Sequence, residues 1–287
     1  MVRSVPRHDY PTDNVTEGLE VLSETVSWVM ERLEESDVAR GQALGVTLNF
    51  ASTRCAVDTK ATKIETWEAW VTAMQVGSAL FASASANEEG AECRIGGEVK
   101  HLPATGPQPY ANAGAWITSF CLAMICRDNQ RLNRLAEVPI SLLRDSGAVF
   151  DEYIYAWVEA LQGFWTGRDD VGEKLVAAVD GTNPEVSHSA DPELMAKILY
   201  PPIILFYRYL RGDHAQFNAA LSDALRWHKE YWTADDDRAM SSDGLVALVP
   251  LAMACLARDA RFPIEVESEY MPEALLDFSW AGEIETG

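Results

Sequence analysis

Phe217, Leu221, Leu225, His228 and Trp232 stand four, four, three and four residues apart, so one stripe of a single helix carries them all. Helical spacing recurs through most of the chain. Leu19, Leu22, Val26, Val29 and Leu33 predict a first amphipathic helix from about Asn14, where Asn14 and Glu17 have capping-box spacing. Ser36 and Asp37 open a second, and Ile64, Trp67, Val71 and Met74 belong to a third from about Thr59, in which Gly77-Ser78-Ala79 lets a neighbouring helix come close. Trp116, Ile117, Phe120 and Met124 resume the pattern beyond residue 110. Further on, Asp191-Pro192 reads as a cap and first-turn proline, Pro201-Pro202 as a break and Asp213 as the cap of the helix ending at Trp232. Ser241-Ser242-Asp243 opens another helix that Pro250 should kink.

A chain of 287 residues with 48% hydrophobic side chains has ample material for a continuous core. The expected fold is mainly α: a helical array or irregular α-solenoid of helical hairpins, read as one all-α domain over residues 1–287. No consistent 34-residue consensus supports a regular repeat.

Residues 91–110, AECRIGGEVKHLPATGPQPY, break the pattern. Cys93, Ile95 and Val99 flank Gly96-Gly97, and Pro103, Gly106, Pro107 and Pro109 follow, which predicts a β-hairpin and a return loop. A two-residue Gly-Gly turn mixes apolar and charged groups on each face. A three-residue turn over Gly96, Gly97 and Glu98 instead pairs Ile95 with Val99 and Cys93 with His101, and shows Arg94 and Lys100 to solvent as a small basic pair; this register is the expected one. The insert is either a cover over a helix pair or a protruding contact element.

The balance of 23 basic against 44 acidic residues, net −21, argues against gripping a phosphate backbone and favours a basic partner or none. The acidity is concentrated at the C-terminus. Residues 261–287 carry Glu265, Glu267, Glu269, Glu273, Asp277, Glu283 and Glu285 against Arg261 alone. In IEVESEY the acids alternate with Ile264, Val266 and Ser268, so an extended segment places Glu265, Glu267 and Glu269 on one side, as either a solvated face or a binding edge for a basic partner.

Chemistry-bearing motifs are scarce. The five cysteines are odd in number and contain no CxxC, as expected of buried free thiols in a reducing compartment. MVRSVPRHDYPTDN lacks the apolar core of a signal peptide and no apolar run reaches a membrane-spanning length, so the expected location is the cytoplasm. RWHKEYWTADDD, residues 226–237, gathers a His, a Glu and three Asp. His228 lies on the apolar stripe, however, and His214 is about 21 Å away along the same helix, too far to share a metal. Asp223, Arg226 and Glu230 read as a surface charge ladder, and Asp235, Asp236 and Asp237 as a solvated loop. His8, His101 and His188 fall in isolated loop or extended positions. No nucleophile stands beside a base, and no cofactor motif occurs, so no enzyme activity, metal or cofactor is expected. The many aromatic residues, among them Trp67, Trp70, Tyr153, Tyr155 and Trp157, read as core wedges; the other reading, a concave aromatic groove, belongs to an adaptor that binds a peptide or cellular protein.

Several strings resemble one family: RHDYPTDN and EGLEVL, WEAWVTAMQVGSALFA, CRIGGEV with LPATGPQ, AAVDGT, ILYPPI, and above all ALRWHKEYWTADDDRAMSSDGLVAL with PLAMACLA and FPIEVESEYMP. Over roughly residues 5–285 the chain is similar to actinobacterial immunity 49 family proteins. The resemblance implies an α-helical immunity protein of a polymorphic toxin system, which protects by binding a cognate toxin and occluding it without catalysis. No site residue is carried over from the family. Where that toxin is basic, Glu265, Glu267, Glu269 and Asp235 to Asp237 are the contact candidates, with Arg94 and Lys100 as a second patch.

Overall fold

Several helices begin at a residue whose side chain accepts a backbone N–H of their first turn. In the computed structural model, which describes residues 2–282, strand β1 (Arg3–Ser4) is followed by helices α1 (Val15–Arg32), α2 (Asp37–Val57) and α3 (Ile64–Ser85). The hairpin β2 (Ala91–Ile95) and β3 (Glu98–Leu102) comes next, then α4 (Ala113–Ile125), α5 (Asn129–Ala136), α6 (Ile140–Arg144), α7 (Tyr153–Thr166) and α8 (Val171–Asp180). The last part holds α9 (Pro192–Leu194), α10 (Tyr200–Leu210), α11 (His214–Trp232), α12 (Asp236–Ala239), α13 (Leu248–Asp259), β4 (Val266–Glu267) and α14 (Glu273–Leu276). Glu283 and Glu285 lie outside the described residues.

The fold is mainly α, as the periodicity requires. Consecutive helices pack as hairpins, α1 on α2, α2 on α3, α7 on α8 and α10 on α11, and α4 sits among α3, α5, α7 and α13. Helix α4 is apolar almost all round, with Trp116, Phe120, Cys121 and Leu122 buried, which is the mark of a helix inside the core. Trp67, Trp70 and Trp116 are fully buried, each removing on the order of 200 Å² from water. A Cβ on Gly77 would lie 2.5 Å from the Ser119 hydroxyl, so this glycine permits the close approach of α3 to α4.

Caps explain several boundaries. Ser36, Asp191 and Asp213 each accept a backbone N–H in the first turn of the helix they precede. Asn14 makes no such bond, and α1 starts beside it without a side-chain cap. Helix α3 starts at Ile64 rather than near Thr59, because the Asp58 carboxylate accepts the N–H groups of Thr62 and Lys63 and holds 58–63 as a turn.

The prolines act differently from expectation. Pro201 and Pro202 do not end the helix. A π turn over Met195–Leu199 links α9 to α10, and both prolines stand in the first turn of α10, where missing donors are least felt. Pro250 does not kink α13, since that helix begins only at Leu248; Ser242–Gly244 forms a separate 3₁₀ turn.

The hairpin adopts the other register. Ile95 faces Glu98, Arg94 faces Val99 and Cys93 faces Lys100 across a two-residue turn. Gly96 and Gly97 have φ of +60° and +83°, the left-handed pair that matches the twist of adjoining strands, and this turn preference outweighs apolar pairing. Arg94 and Lys100 therefore lie on opposite faces and form no basic pair. Lys100 shares the inner face with Cys93, Ile95 and Leu102 and turns back to Glu98 at 3.0 Å. Val99 is left exposed on the outer face. Cys93, Ile95 and Leu102 pack on Val29, Leu33, Ala43, Val76 and Leu80, so the hairpin covers the first three helices.

Candidate partner-binding surface

The acidic C-terminal row is built by two segments far apart in sequence. β4 pairs in parallel with β1, Arg3 opposite Val266 and Ser4 opposite Glu267. The Arg3 N–H donates to the Glu265 carbonyl at 2.9 Å, the Val5 N–H to the Glu267 carbonyl at 3.0 Å, and the Ser268 hydroxyl to the Val5 carbonyl at 2.6 Å. On the other side, the Glu265 N–H donates to the Asn218 side chain of α11. The alternation read from IEVESEY holds: Val266 is buried, while Glu265, Glu267 and Glu269 are exposed.

Glu267 and Glu269 also line a cleft of about 520 Å³ between this strand pair, the α2–α3 turn and α14. Its floor is apolar, with Val5, Val266, Met271 and Leu276 all buried. Its rim is charged. Lys60 reaches Glu273 at 2.8 Å and Arg258 reaches Asp277 at 2.7 Å. No ion pair engages Glu267 or Glu269 among the described residues.

The N-terminal segment is fastened a second time, deeper in. The Tyr270 hydroxyl takes the His8 N–H at 3.1 Å and lies 2.8 Å from His8 Nδ1. His228 meets the same tyrosine ring edge-on, 4.8 Å between centroids, while its Nε2 lies 3.0 Å from the Gly244 carbonyl. Burial pushes the Tyr270 phenol up to about 12. It also pushes the His8 imidazole down, against the Ala239 backbone, and the His228 imidazole down to about 4, against the Gly244 carbonyl and aided by His8. His228 is thus a packed, hydrogen-bonded core residue, as its place on the apolar stripe indicates. His8 is not isolated: it is buried beside Tyr270.

The remaining candidates lie elsewhere. Asp235 caps α12 by accepting the Arg238 N–H at 2.8 Å and pairs with the Arg238 guanidinium at 3.2 Å; Asp236 and Asp237 open that short helix rather than lying in a loop, and both are exposed. Arg238 also joins Glu193 at 2.9 Å. Asp223 pairs with Arg226, while Glu230 reaches Lys197 on the π turn at 3.6 Å. Arg94 is exposed on the hairpin's outer face, and its carbonyl accepts from Arg131 at 2.9 Å. None of Asp235 to Asp237, Arg94 or Lys100 lines the cleft.

Sequence reasoning missed the N-terminal contribution and the two cations of the cleft. No period-two pattern marks that segment: Val2 and Val5 stand three apart, and Val2 is exposed while Val5 is buried. All five cysteines are buried and unpaired, and burial raises each thiol, Cys55 to about 12 and Cys255 to about 11, so they remain protonated core residues. Trp67, Trp70, Tyr153, Tyr155 and Trp157 are buried, in agreement with their reading as core wedges.

A family model described as immunity protein 49 matches residues 58–275. The chain belongs to the immunity protein 49 family. The match spans the hairpin, helices α3 to α13 and strand β4, and thus residues 265–269 of the acidic row; β1, α1 and α2 precede it. Comparison with curated proteins and with solved structures returns no match. Among the described residues of this immunity protein 49 family member, no helix is long and apolar enough to cross a membrane.

Proposed function

We propose that the protein neutralises a cognate bacterial toxin by binding it and covering its working surface, with no chemistry of its own, in the cytoplasm of the cell it protects. The observation that carries this reading is the exposed row Glu265, Glu267 and Glu269, in and flanking a short strand fixed from both sides, in a member of an immunity family. A fixed strand loses little freedom on binding. A row of carboxylates in a protein of net charge −21 speeds encounter with a basic surface, which makes the expected toxin basic where it docks. Asp236 and Asp237 add secondary acidic contacts. Arg94 alone represents the hairpin patch, since Lys100 is covered.

The test is capture from lysate and culture medium of the source strain at low and high salt, followed by kinetics and growth assays with the captured protein. The reading expects one secreted multidomain protein, held at low salt and released at high salt, whose toxic segment stops growth unless this chain is co-expressed. Replacing Glu265, Glu267 and Glu269 together by Gln should slow association about tenfold or more at low ionic strength with the melting temperature unchanged. An unchanged on-rate at low salt rules out this edge. Failure to restore growth rules out neutralisation.

A further inference from the structure

The cleft beside the acidic row has a composition that selects one kind of side chain. Its floor is buried and apolar, supplied by Val5, Val266 and Met271, while its mouth carries the carboxylates of Glu267 and Glu269. A purely apolar anchor would leave those carboxylates facing it, and a small cation would gain nothing from the floor. A lysine or arginine matches both, since its methylene stem lies along apolar surface while its head stays at the polar rim.

We propose that this cleft receives one long cationic side chain, lysine or arginine, presented by the bound toxin. The inference rests on the toxin-binding reading above and names the anchor within it. Charge complementarity favours this occupant over an anionic or neutral one. Four carboxylates, Glu267, Glu269, Glu273 and Asp277, border the cleft with two cations, and each cation already has its own carboxylate: Lys60 with Glu273 and Arg258 with Asp277. Glu267 and Glu269 are the surplus.

Rigidity is a separate argument. The Glu267 carbonyl takes the Val5 N–H, the Ser268 hydroxyl holds the Val5 carbonyl, and Tyr270 is clamped by His8, so the wall bearing both surplus carboxylates is fixed before a ligand arrives. The volume of about 520 Å³ leaves room for a side chain and the backbone that bears it. In an interface, a single charged residue seated in a pocket at its centre is the kind of contact on which affinity concentrates.

The test needs no toxin at first. Amide chemical shifts of the intact protein are followed by NMR during titration with N-acetyl-arginine methylamide, its lysine counterpart, and the neutral citrulline analogue. Saturable changes at Val5, Lys60 and residues 267–271 with the two cationic probes, weaker with citrulline and lost in Glu267→Gln/Glu269→Gln, are expected. Equal response to citrulline, changes centred elsewhere, or no saturable change overturns the proposal. Thr59→Trp then fills the cleft with every carboxylate left in place. Once a toxin is in hand, this variant should weaken its capture about tenfold or more while keeping the wild-type melting temperature. If Thr59→Trp captures the toxin normally while the triple Gln variant does not, the cleft proposal fails and the acidic edge stands. If the cationic probe binds in the cleft but no toxin is neutralised, the site stands and the immunity reading fails.

Discussion

The Tyr270 hydroxyl lies 2.8 Å from Nδ1 of His8 and accepts the His8 backbone N–H at 3.1 Å, joining residues 262 positions apart. The Nδ1 contact is made in either tautomer, the hydroxyl donating to a bare Nδ1 or accepting from a protonated one with its second lone pair. Tyr270→Phe keeps the ring contact with His228 but strands two polar groups of His8 in a buried site. The expected loss is about 1–3 kcal/mol, read as a lower denaturant midpoint with unchanged m-value.

His228 gives the fold an acid sensitivity of defined sign. Its folded pKa of about 4 lies below the ordinary 6.5, so the unfolded chain binds a proton first as pH falls. Stability from this group is present above pH 6.5 and is lost progressively as pH drops toward about 4, by about 3 kcal/mol in all. His8 adds loss of the same sign. The groups around the pair are Arg7, Lys229, Asp9 and the Ala239 backbone at His8, and the Gly244 carbonyl at His228. Chemical denaturation between pH 7 and pH 4 should show the slope, and His228→Gln should flatten it.

Asp128 and Arg131 form a buried pair at 3.3 Å, and Asp128 also caps α5 by accepting the Arg131 N–H at 3.0 Å. Asp128→Ala removes the cap and leaves the guanidinium in a poor solvent. A loss of about 3–5 kcal/mol is expected. Because Arg131 also donates to the Arg94 carbonyl, amide exchange in β2 should quicken in the same variant.

Asp151 organises the loop that precedes α9. Its carboxylate accepts the N–H groups of His188 and Ser189 and the hydroxyls of Ser187 and Ser189. Burial acts to raise this carboxyl, but those four donors prevail and hold it near 2, so its contribution is present above about pH 4 and fades below. Asp151→Asn should accelerate exchange and proteolysis across residues 181–191 with little change in global melting temperature.

What could be read along the chain was what neighbours in sequence decide. The four-and-three spacing of Phe217, Leu221, Leu225, His228 and Trp232 fixes a helix and a buried face, because side chains on one face must leave water together. Ser36, Asp191 and Asp213 announced helix starts because a cap acts within three residues. Glu265, Glu267 and Glu269 could be placed on one side for the same local reason. Face composition alone favours the other hairpin register, but two left-handed glycines set the turn.

The sequence by itself therefore determined that the protein is helical, where α1, α2, α9 and α11 start, that His228 faces the core, and which family strings it carries. Only the tertiary structure decided that residues 3–8 lie along residues 265–270, that His8 shares Tyr270 with His228, and that Lys60 and Arg258 border a cleft with Glu267 and Glu269. The reason is range. A cap or a periodic stripe is set by contacts a few residues apart, but a strand of two residues has too little local preference to announce its partner, which is found only when the helices between have packed and brought both ends together.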